Sequence, residues 1–155
     1  MMYVASVHVS QGEIADHASV LAVMHAAFAT TRETPYPSSA LKLTLADLAE
    51  TQTLVARGED AQVLGAVTWA LRGQAVSFSR LAVEPSRQGQ GIGSAMVEAI
   101  EHMARRVGAA RVECTARSIY PDNRSFYARR GYVVVGYSGR YGVPDIRTHL
   151  TLPLG

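Results

Sequence analysis

Three glycines at alternate positions, Gly89, Gly91 and Gly93, form the part of this sequence with the clearest chemistry. They follow the apolar run Leu81–Val83 and precede a segment with helical periodicity, so they lie where a strand passes into a helix. Glycine lets the backbone approach a ligand closely, and the start of a helix offers unpaired N–H groups and the positive end of the helix dipole. This combination favours the binding of a phosphate or pyrophosphate group.

Two other phosphate-binding loops do not fit these glycines. A P-loop requires a lysine directly after its last glycine, and the only lysine of the chain is Lys42. A dinucleotide-binding loop requires a third glycine where this chain has Met96, whose side chain is too bulky for close packing of the helix on the strand. A tight turn without a ligand would also place glycines after a strand, and this structural alternative stays open.

The residues Gln88, Gly91 and Gly93 form the pattern Q-x-x-G-x-G, preceded by a strand and a V-x-P step. In these residues the chain resembles the GNAT superfamily of acyl-CoA-dependent N-acetyltransferases, whose pyrophosphate loop reads Q/R-x-x-G-x-G/A between a strand and a long helix. The segment FYARRGY, residues 126–132, resembles a later helix of that family, with a tyrosine four residues before a glycine–aromatic pair. The order of elements agrees with the family along essentially the whole chain.

The resemblance implies a fold, a cosubstrate and a reaction. The expected fold is α/β, with a mixed, mostly antiparallel, twisted sheet of about seven strands flanked by four helices. One acetyltransferase domain is expected over residues 1–155, and acetyl-CoA is the expected cosubstrate. The expected reaction is the transfer of an acetyl group to a primary amine by direct attack, with a small molecule or a peptide as the acceptor.

The residues expected to bind CoA follow from two grounds, the backbone N–H groups at the start of the helix and the resemblance to the family. Backbone N–H groups of residues 88–94 suit a pyrophosphate. The resemblance implies that main-chain groups of residues 81–83 pair with the pantetheine arm. A free N–H at Val83 is in addition expected to polarise the thioester carbonyl, as an oxyanion-type contribution. Asn123, near the start of the helix that carries Tyr127, is a further candidate for contact with the pantetheine arm, although the asparagine of the family aligns with Tyr120 here. The candidate cofactor-binding residues are Leu81, Ala82, Val83, Gln88, Gly89, Gln90, Gly91, Ile92, Gly93, Ser94 and Asn123.

Tyr127 is the candidate catalytic residue, because it matches the family tyrosine that reaches the cofactor sulfur. A phenol can protonate a leaving thiolate without being ionised beforehand, which makes it a suitable general acid. The alternative is a core tyrosine on an amphipathic helix. For the general base, Glu33, Glu84, Glu113 and a water chain ending on backbone carbonyls all stay open.

Composition narrows the functional classes. The net charge of the 155-residue chain is only +2, and no basic stripe with interleaved aromatic residues is present, so nucleic-acid binding is not expected. The five histidines lack the spacing of metal ligands, so no metal is expected. A single cysteine, Cys114, excludes an internal disulfide. Without a secretory signal or a membrane-spanning run, a cytoplasmic protein is expected.

The elements that must position these residues follow from hydrophobic periodicity. It predicts seven strands: Tyr3–Val9, Thr53–Arg57, Val63–Leu71, Ala75–Val83, Arg111–Thr115, Tyr132–Tyr137 and Ile146–Leu152. It also predicts four helices. The first is Ile14–Phe28 and the third is Gly91–Val107. The second is capped by Ser38 or Ser39 and has Leu41, Leu45 and Leu48 on its apolar face, and the fourth is capped by Asp122 and runs through Arg130. This order predicts a mixed α/β sheet.

Local signals refine these elements. The first helix is expected to bury the residues Ile14, Ala18, Leu21, Met24 and Phe28, and the third to bury Ile92, Met96, Ala99, Ile100 and Met103. Gly108 and Gly131 are expected to end helices. In the strand Ala75–Val83 the apolar residues change parity, which predicts a β-bulge near Ser79 and Arg80.

A second functional class remains beside the enzyme. A non-catalytic acyl-CoA-binding module would keep the glycine turn and lose the acid or the acceptor groups, and it would bind CoA without turnover. Self-association through the C-terminal strands is a further expectation. The identity of the amine and the length of the acyl group stay open, because acceptor loops vary independently of the cofactor site.

Overall fold

The computed structural model describes residues 6–34, 36–117, 120–139 and 145–155. Residues 3–5 of the first predicted strand lie outside these ranges, and so do residues 140–144 of the loop between the last two strands. The side chain of Glu33, one of the candidate bases, is also outside the described part.

The described chain contains seven strands and four α-helices. The strands are β1 (His8–Gln11), β2 (Gln52–Arg57), β3 (Val63–Arg72), β4 (Ala75–Val83), β5 (Arg111–Arg117), β6 (Val133–Ser138) and β7 (Arg147–Pro153). The helices are α1 (His17–Phe28), α2 (Leu45–Ala49), α3 (Ile92–Arg106) and α4 (Pro121–Arg129). The strand order in the sheet is β1-β2-β3-β4-β5-β7-β6. The β1–β2, β2–β3, β5–β7 and β6–β7 ladders are antiparallel and the β4–β5 ladder is parallel, so the predicted mixed fold is confirmed.

Contacts divide the chain into two compact units. The first unit comprises residues 1–70 and 80–100, and the second comprises residues 71–79 and 101–155. The first unit has an apolar core that joins α1, α2 and strand residues: Val20, Val23, Met24, Leu43, Leu48, Val55, Ala66 and Ala82. The second unit has a group of packed aromatic rings: Phe78, Phe126, Tyr127 and Tyr132.

The first helix begins later than its periodicity suggested. Ile14 was expected on the buried face, but it lies in a short 3₁₀ turn and is 85% exposed. Glu13 and Asp16 form a capping box around this turn, and the box interrupts the helical register before α1. The buried face of α1 is consequently formed by Val20, Val23 and Met24, and Ala18 is exposed.

The second predicted helix is two separate elements. Ser38 caps as expected, since its side chain accepts a hydrogen bond from the backbone of Ala40. The capped element is only a short 3₁₀ turn, Ser39–Lys42. Thr44 and Asp47 then form a second capping box that starts α2. Because two caps follow each other so closely, the prediction of one continuous helix is wrong. Of its predicted apolar face, Leu48 is buried as expected and Leu41 is half-buried, but Leu45 is 52% exposed.

Strand β4 contains the expected irregularity. Arg80 has a φ of 56°, a left-handed conformation that costs a non-glycine residue about 1–2 kcal/mol, and this supports the predicted bulge. Ala82 then lies in the core of the first unit, whereas Leu81 and Val83 are half-buried near Gly93 of α3. Both faces of this end of β4 are therefore covered, a situation that a simple alternation pattern does not reveal.

Helix α3 packs closely on β3 at Gly65. A Cβ atom at this position would lie 2.7 Å from Cε of Met96 and 3.1 Å from both Cγ2 of Ile92 and the carbonyl oxygen of Ala82. The missing side chain of Gly65 thus allows the first turn of α3 to approach the strand. At the other end, the predicted termination by Gly108 is confirmed by its φ of 75°.

The buried side of α3 differs partly from the expected one. Ile92, Met96 and Ile100 are buried as predicted, but Val97 and Ala104 take the places expected for Ala99 and Met103. Among the described residues, no helix combines the length and the apolar character needed to cross a membrane.

Candidate active site

The turn after β4 is fixed by a short network around Glu84. The backbone N–H of Glu84 donates to the carbonyl of Leu64 at 2.8 Å, and its carboxylate accepts hydrogen bonds from the backbone N–H and the hydroxyl of Ser86. These bonds cap the 3₁₀ turn Pro85–Arg87. The carboxylate of Glu84, one of the candidate bases, therefore serves to hold the turn. Nε2 of Gln88 adds a weak hydrogen bond to the carbonyl of Val83 at 3.4 Å.

Two of the three turn glycines have left-handed backbones. Gly89 has a φ of 80° and Gly91 a φ of 84°, and an added Cβ would meet no atom within 4 Å at either position. The requirement for glycine here comes from backbone conformation and not from crowding. Gly93 differs, because its φ is not positive and its Cβ would lie 3.8 Å from Cγ2 of Val83.

The first turn of α3 presents N–H groups at this glycine turn. The backbone N–H of Ala95 donates to the carbonyl of Gly91 at 3.0 Å, which is a bond of the first helical turn. The N–H groups of Ile92, Gly93 and Ser94 precede that bond and have no partner within the helix. The first turn also contains no acidic residue, so its positive dipole end is not neutralised by a side chain. This arrangement suits a bound anion.

Gln90 gives a second indication of a bound molecule. Among the described residues, its side-chain oxygen Oε1 is buried and has no hydrogen-bond partner. A buried acceptor without a donor is unfavourable, so a hydroxyl or an amide N–H of a ligand would stabilise it. Acyl-CoA carries both kinds of donor beside its phosphates, and the residues of the turn therefore fit such a ligand.

Gly65 is a positioning residue that periodicity alone did not reveal. By allowing close approach of α3 to β3, it places the first turn of the helix beside the end of β4. The available signal is a glycine inside the strand segment VLGAV, because a glycine within a strand often marks close approach of another backbone.

In the second unit, Tyr127 lies among aromatic rings. It is 7% exposed, and its ring centroid lies 5.1 Å from that of Phe126, 5.6 Å from that of Tyr132 and 5.9 Å from that of Phe78. Burial raises the pKa of the Tyr127 phenol well above its ordinary value, and the neighbouring Cys114 adds to the increase. The phenol is therefore protonated at neutral pH.

The C-terminal end of α4 fixes the position of Tyr127. Its carbonyl accepts hydrogen bonds from the backbone N–H groups of Arg130 and Tyr132, at 3.0 and 3.1 Å. Gly131 lies between them with a φ of 94°, so the predicted helix termination there is confirmed. The phenol of Tyr132 donates to Glu101 at 3.0 Å, which anchors the glycine–aromatic pair.

The start of α4 differs from the expectation. The N-cap is Tyr120 and not Asp122, and no side chain caps the helix there. Among the described residues, the hydroxyl of Tyr120 is buried without a hydrogen-bond partner, and the guanidinium of Arg117 lies 5.4 Å from the centre of its ring. Asn123 is exposed, and its backbone N–H donates to the carbonyl of Tyr120.

Other reactive groups are occupied or buried. Glu113, a candidate base, forms a 2.6 Å ion pair with Arg111. Burial raises the pKa of the Cys114 thiol to about 12, so it is not an activated nucleophile. No group of three or more metal-binding side chains occurs in the described ranges.

The predicted site residues fall into the two units. The first unit contains residues 81–83 and 88–94, which the structure brings together around the end of β4 and the start of α3. The second unit contains Tyr127 and Asn123, both on α4.

Solved structures with this fold come from several organisms. The PaiA N-acetyltransferase of Thermoplasma acidophilum, in complex with coenzyme A, superimposes with a TM-score of 0.82 at 16% identity, over 96% of this chain and 99% of that one. A GCN5-related N-acetyltransferase from Kribbella flavida gives 0.78 at 18% identity, over 96% and 98% of the two chains. The ribosomal-protein-S18-alanine N-acetyltransferase of Escherichia coli gives 0.77 at 15%, over 96% and 94%. At these identities the likeness concerns the fold.

Sequence comparison adds the family. No curated protein matches the sequence significantly. The family model of the acetyltransferase (GNAT) domain matches residues 49–134, which is more than half of the chain and includes β4, the glycine turn, α3 and α4. This protein therefore belongs to the GNAT family of acetyltransferases.

Proposed function

We propose that this protein transfers an acetyl group from acetyl-CoA to a primary amine by direct attack, as a single domain in the cytoplasm. The observation that carries the proposal is the left-handed pair Gly89 and Gly91, directly before a helix whose first N–H groups have no partner within the helix. Membership of the GNAT family supports it. The coenzyme A in the Thermoplasma acidophilum structure supports the same choice of cosubstrate.

In this proposal, the chain binds acetyl-CoA through its backbone. The N–H groups of residues 88–94 receive the pyrophosphate, with the dipole of α3 adding to the attraction. Main-chain groups of residues 81–83 pair with the pantetheine arm, and the N–H of Val83 polarises the thioester carbonyl. The side-chain oxygen of Gln90 receives a hydrogen bond from the ligand. Asn123 belongs to the proposed set as an exposed residue in the first turn of α4.

Tyr127 is the proposed general acid. Acetyl-CoA, when bound, supplies an acetyl group as a thioester. Tyr127 holds a proton at Oη, because burial raises the pKa of its phenol, and this proton is available to a leaving thiolate. A carboxylate base is not required if the amine loses its proton to water, and the bonds formed by Glu84 and Glu113 favour that account.

The experiment that tests the function measures thiol release from acetyl-CoA with a panel of primary amines: polyamines, amino acids, aminoglycosides and peptides with a free N-terminus. We expect thiol release above hydrolysis with at least one of them, and an acetylated amine of matching mass. Tight CoA binding with no release from any amine would instead indicate the non-catalytic binding module.

A glycine substitution tests the pyrophosphate site. Gly91→Ala forces a side chain into a left-handed backbone and misaligns the N–H groups, so we expect CoA to bind at least about tenfold more weakly by calorimetry. Gly108→Ala is the matched control, because Gly108 has a φ of 75° and no atom near its missing Cβ, but it lies after the other end of α3. Both variants should lose about 1 kcal/mol of stability. Equal CoA affinity in the two variants would contradict the site.

Tyr127→Phe tests the acid. We expect kcat to fall about 100-fold or more, with little change in the unfolding free energy, since the ring is kept. In the wild type, the raised pKa keeps the phenol protonated as the pH increases, so its deprotonation should not reduce activity below about pH 10. Tyr137→Phe, at a side chain that is 62% exposed, is the control. Unchanged turnover of Tyr127→Phe across the pH range would remove this residue from the mechanism.

We also propose that the protein self-associates through β6, the C-terminal one of the two edge strands of the sheet. Val133, Val135 and Tyr137 of this strand are 51–64% exposed, and exposed apolar side chains are unfavourable on an edge strand in water. We expect light scattering to give twice the 16.7 kDa chain mass, and Val135→Lys to reduce it to that of one chain. Val107→Lys, at another exposed valine, should not change the mass. A single-chain mass for the wild type would contradict this proposal.

A further inference from the structure

Arg80 lies at the bulge of β4 in the first unit, and its side chain is not part of the proposed cofactor site. It adopts a left-handed backbone inside β4, directly before residues 81–83. Strain of this kind persists where the surrounding structure requires it, and it is often found at ligand-binding positions. The side chain is half-buried, and NH1 donates to the hydroxyl of Thr68 at a long distance of 3.3 Å.

The guanidinium of Arg80 has no carboxylate within ion-pair distance among the described residues. Four other half-buried arginines do have one: Arg57 pairs with Asp16, Arg111 with Glu113, Arg117 with Asp145 and Arg130 with Glu101. A half-buried cation with one weak hydrogen bond is poorly compensated. A bound anion would supply the missing partner.

The guanidinium of Arg80 and the proposed pyrophosphate site lie on opposite sides of strand β3. Successive residues of a strand point to opposite faces, so Thr68 shares a face of β3 with Ala66 and not with Gly65. Gly65 faces Ile92 and Met96 of α3, whereas Ala66 belongs to the core that includes Val20 and Met24 of α1. The guanidinium of Arg80 therefore lies on the α1 side of β3, and the first turn of α3 lies on the other side.

The cofactor turn has its own arginine. Arg87 is also half-buried and without a carboxylate partner in the described ranges, but it ends the 3₁₀ turn directly before Gln88. A phosphate is the natural anion for that position. The guanidinium of Arg80, on the other side of β3, is available to an anion other than this phosphate.

We propose that Arg80 binds a carboxylate of the acceptor, so that the preferred acceptors are primary amines that carry a carboxylate, such as amino acids. This inference rests on the acetyltransferase function proposed above and names its substrate class. Residues 81–83, the proposed partners of the thioester arm, follow Arg80 within about 10 Å along the strand. An amine near its own carboxylate can therefore be held close to the thioester by a bidentate contact with the guanidinium.

The test uses matched pairs of amines: α-, β- and γ-amino acids, each compared with its own carboxamide. For the best pair we expect the wild type to prefer the carboxylate at least about tenfold in kcat/KM. In Arg80→Gln, kcat/KM for the amino acid should fall about 10- to 100-fold. Because kcat/KM for its carboxamide should stay within about threefold of the wild-type value, the preference should disappear. Arg80→Lys keeps the positive charge but loses the bidentate geometry of the guanidinium, so it should keep part of the preference for the carboxylate.

Each outcome of this test decides between explanations. A wild type that acetylates both members of every pair equally, or an Arg80→Gln variant that keeps the preference, would overturn this inference alone. A proportional loss for both members would indicate a structural role for Arg80 and would also overturn it. If Arg80→Gln does not fold, the wild-type preference and the Arg80→Lys variant still decide. Binding of CoA without thiol release from any amine would overturn the proposed function, and this inference with it.

Discussion

The presentation of free backbone N–H groups at the start of α3 is the constraint on which the rest of the proposed site depends. Gly89 and Gly91 are left-handed without any crowding at their missing side chains, so backbone conformation alone requires them to be glycine. Glu84 holds the preceding turn through its own carboxylate, and Gly65 lets the helix approach the strand. The geometry of the turn thus follows from glycine placement and one cap, and backbone N–H groups are the main attraction for an anion there.

The burial of Tyr127 is compatible with both roles considered for it. An aromatic environment with Phe78, Phe126 and Tyr132 stabilises the second unit by packing, and the same burial raises the pKa of the phenol. A general acid must carry its proton at the working pH, so this shift has the sign that the mechanism needs. The helix termination at Gly131 then fixes where the phenol can lie. Packing and catalysis therefore impose the same requirement on the surroundings of this phenol.

The sequence was sufficient for the order of elements, the glycine turn and the ends of two helices, because these depend on local residue types. It was insufficient where local hydrogen bonds compete with periodicity. The capping boxes of Glu13 with Asp16 and of Thr44 with Asp47 shifted α1 and divided the second predicted helix. The parity change in β4 correctly located an irregularity near Arg80. The close approach at Gly65 and the missing carboxylate partner of Arg80 depend on tertiary neighbours that no local pattern contains.

The central claim is that backbone amides at the glycine turn bind the pyrophosphate of CoA, and amide NMR during a titration with CoA measures this directly. We expect the largest shifts, saturating with one equivalent, at the N–H groups between Gln88 and Ser94, while those near Gly108 at the far end of α3 stay unchanged. Saturating CoA that leaves the amides of this turn unperturbed, or that perturbs a different surface, would contradict the account.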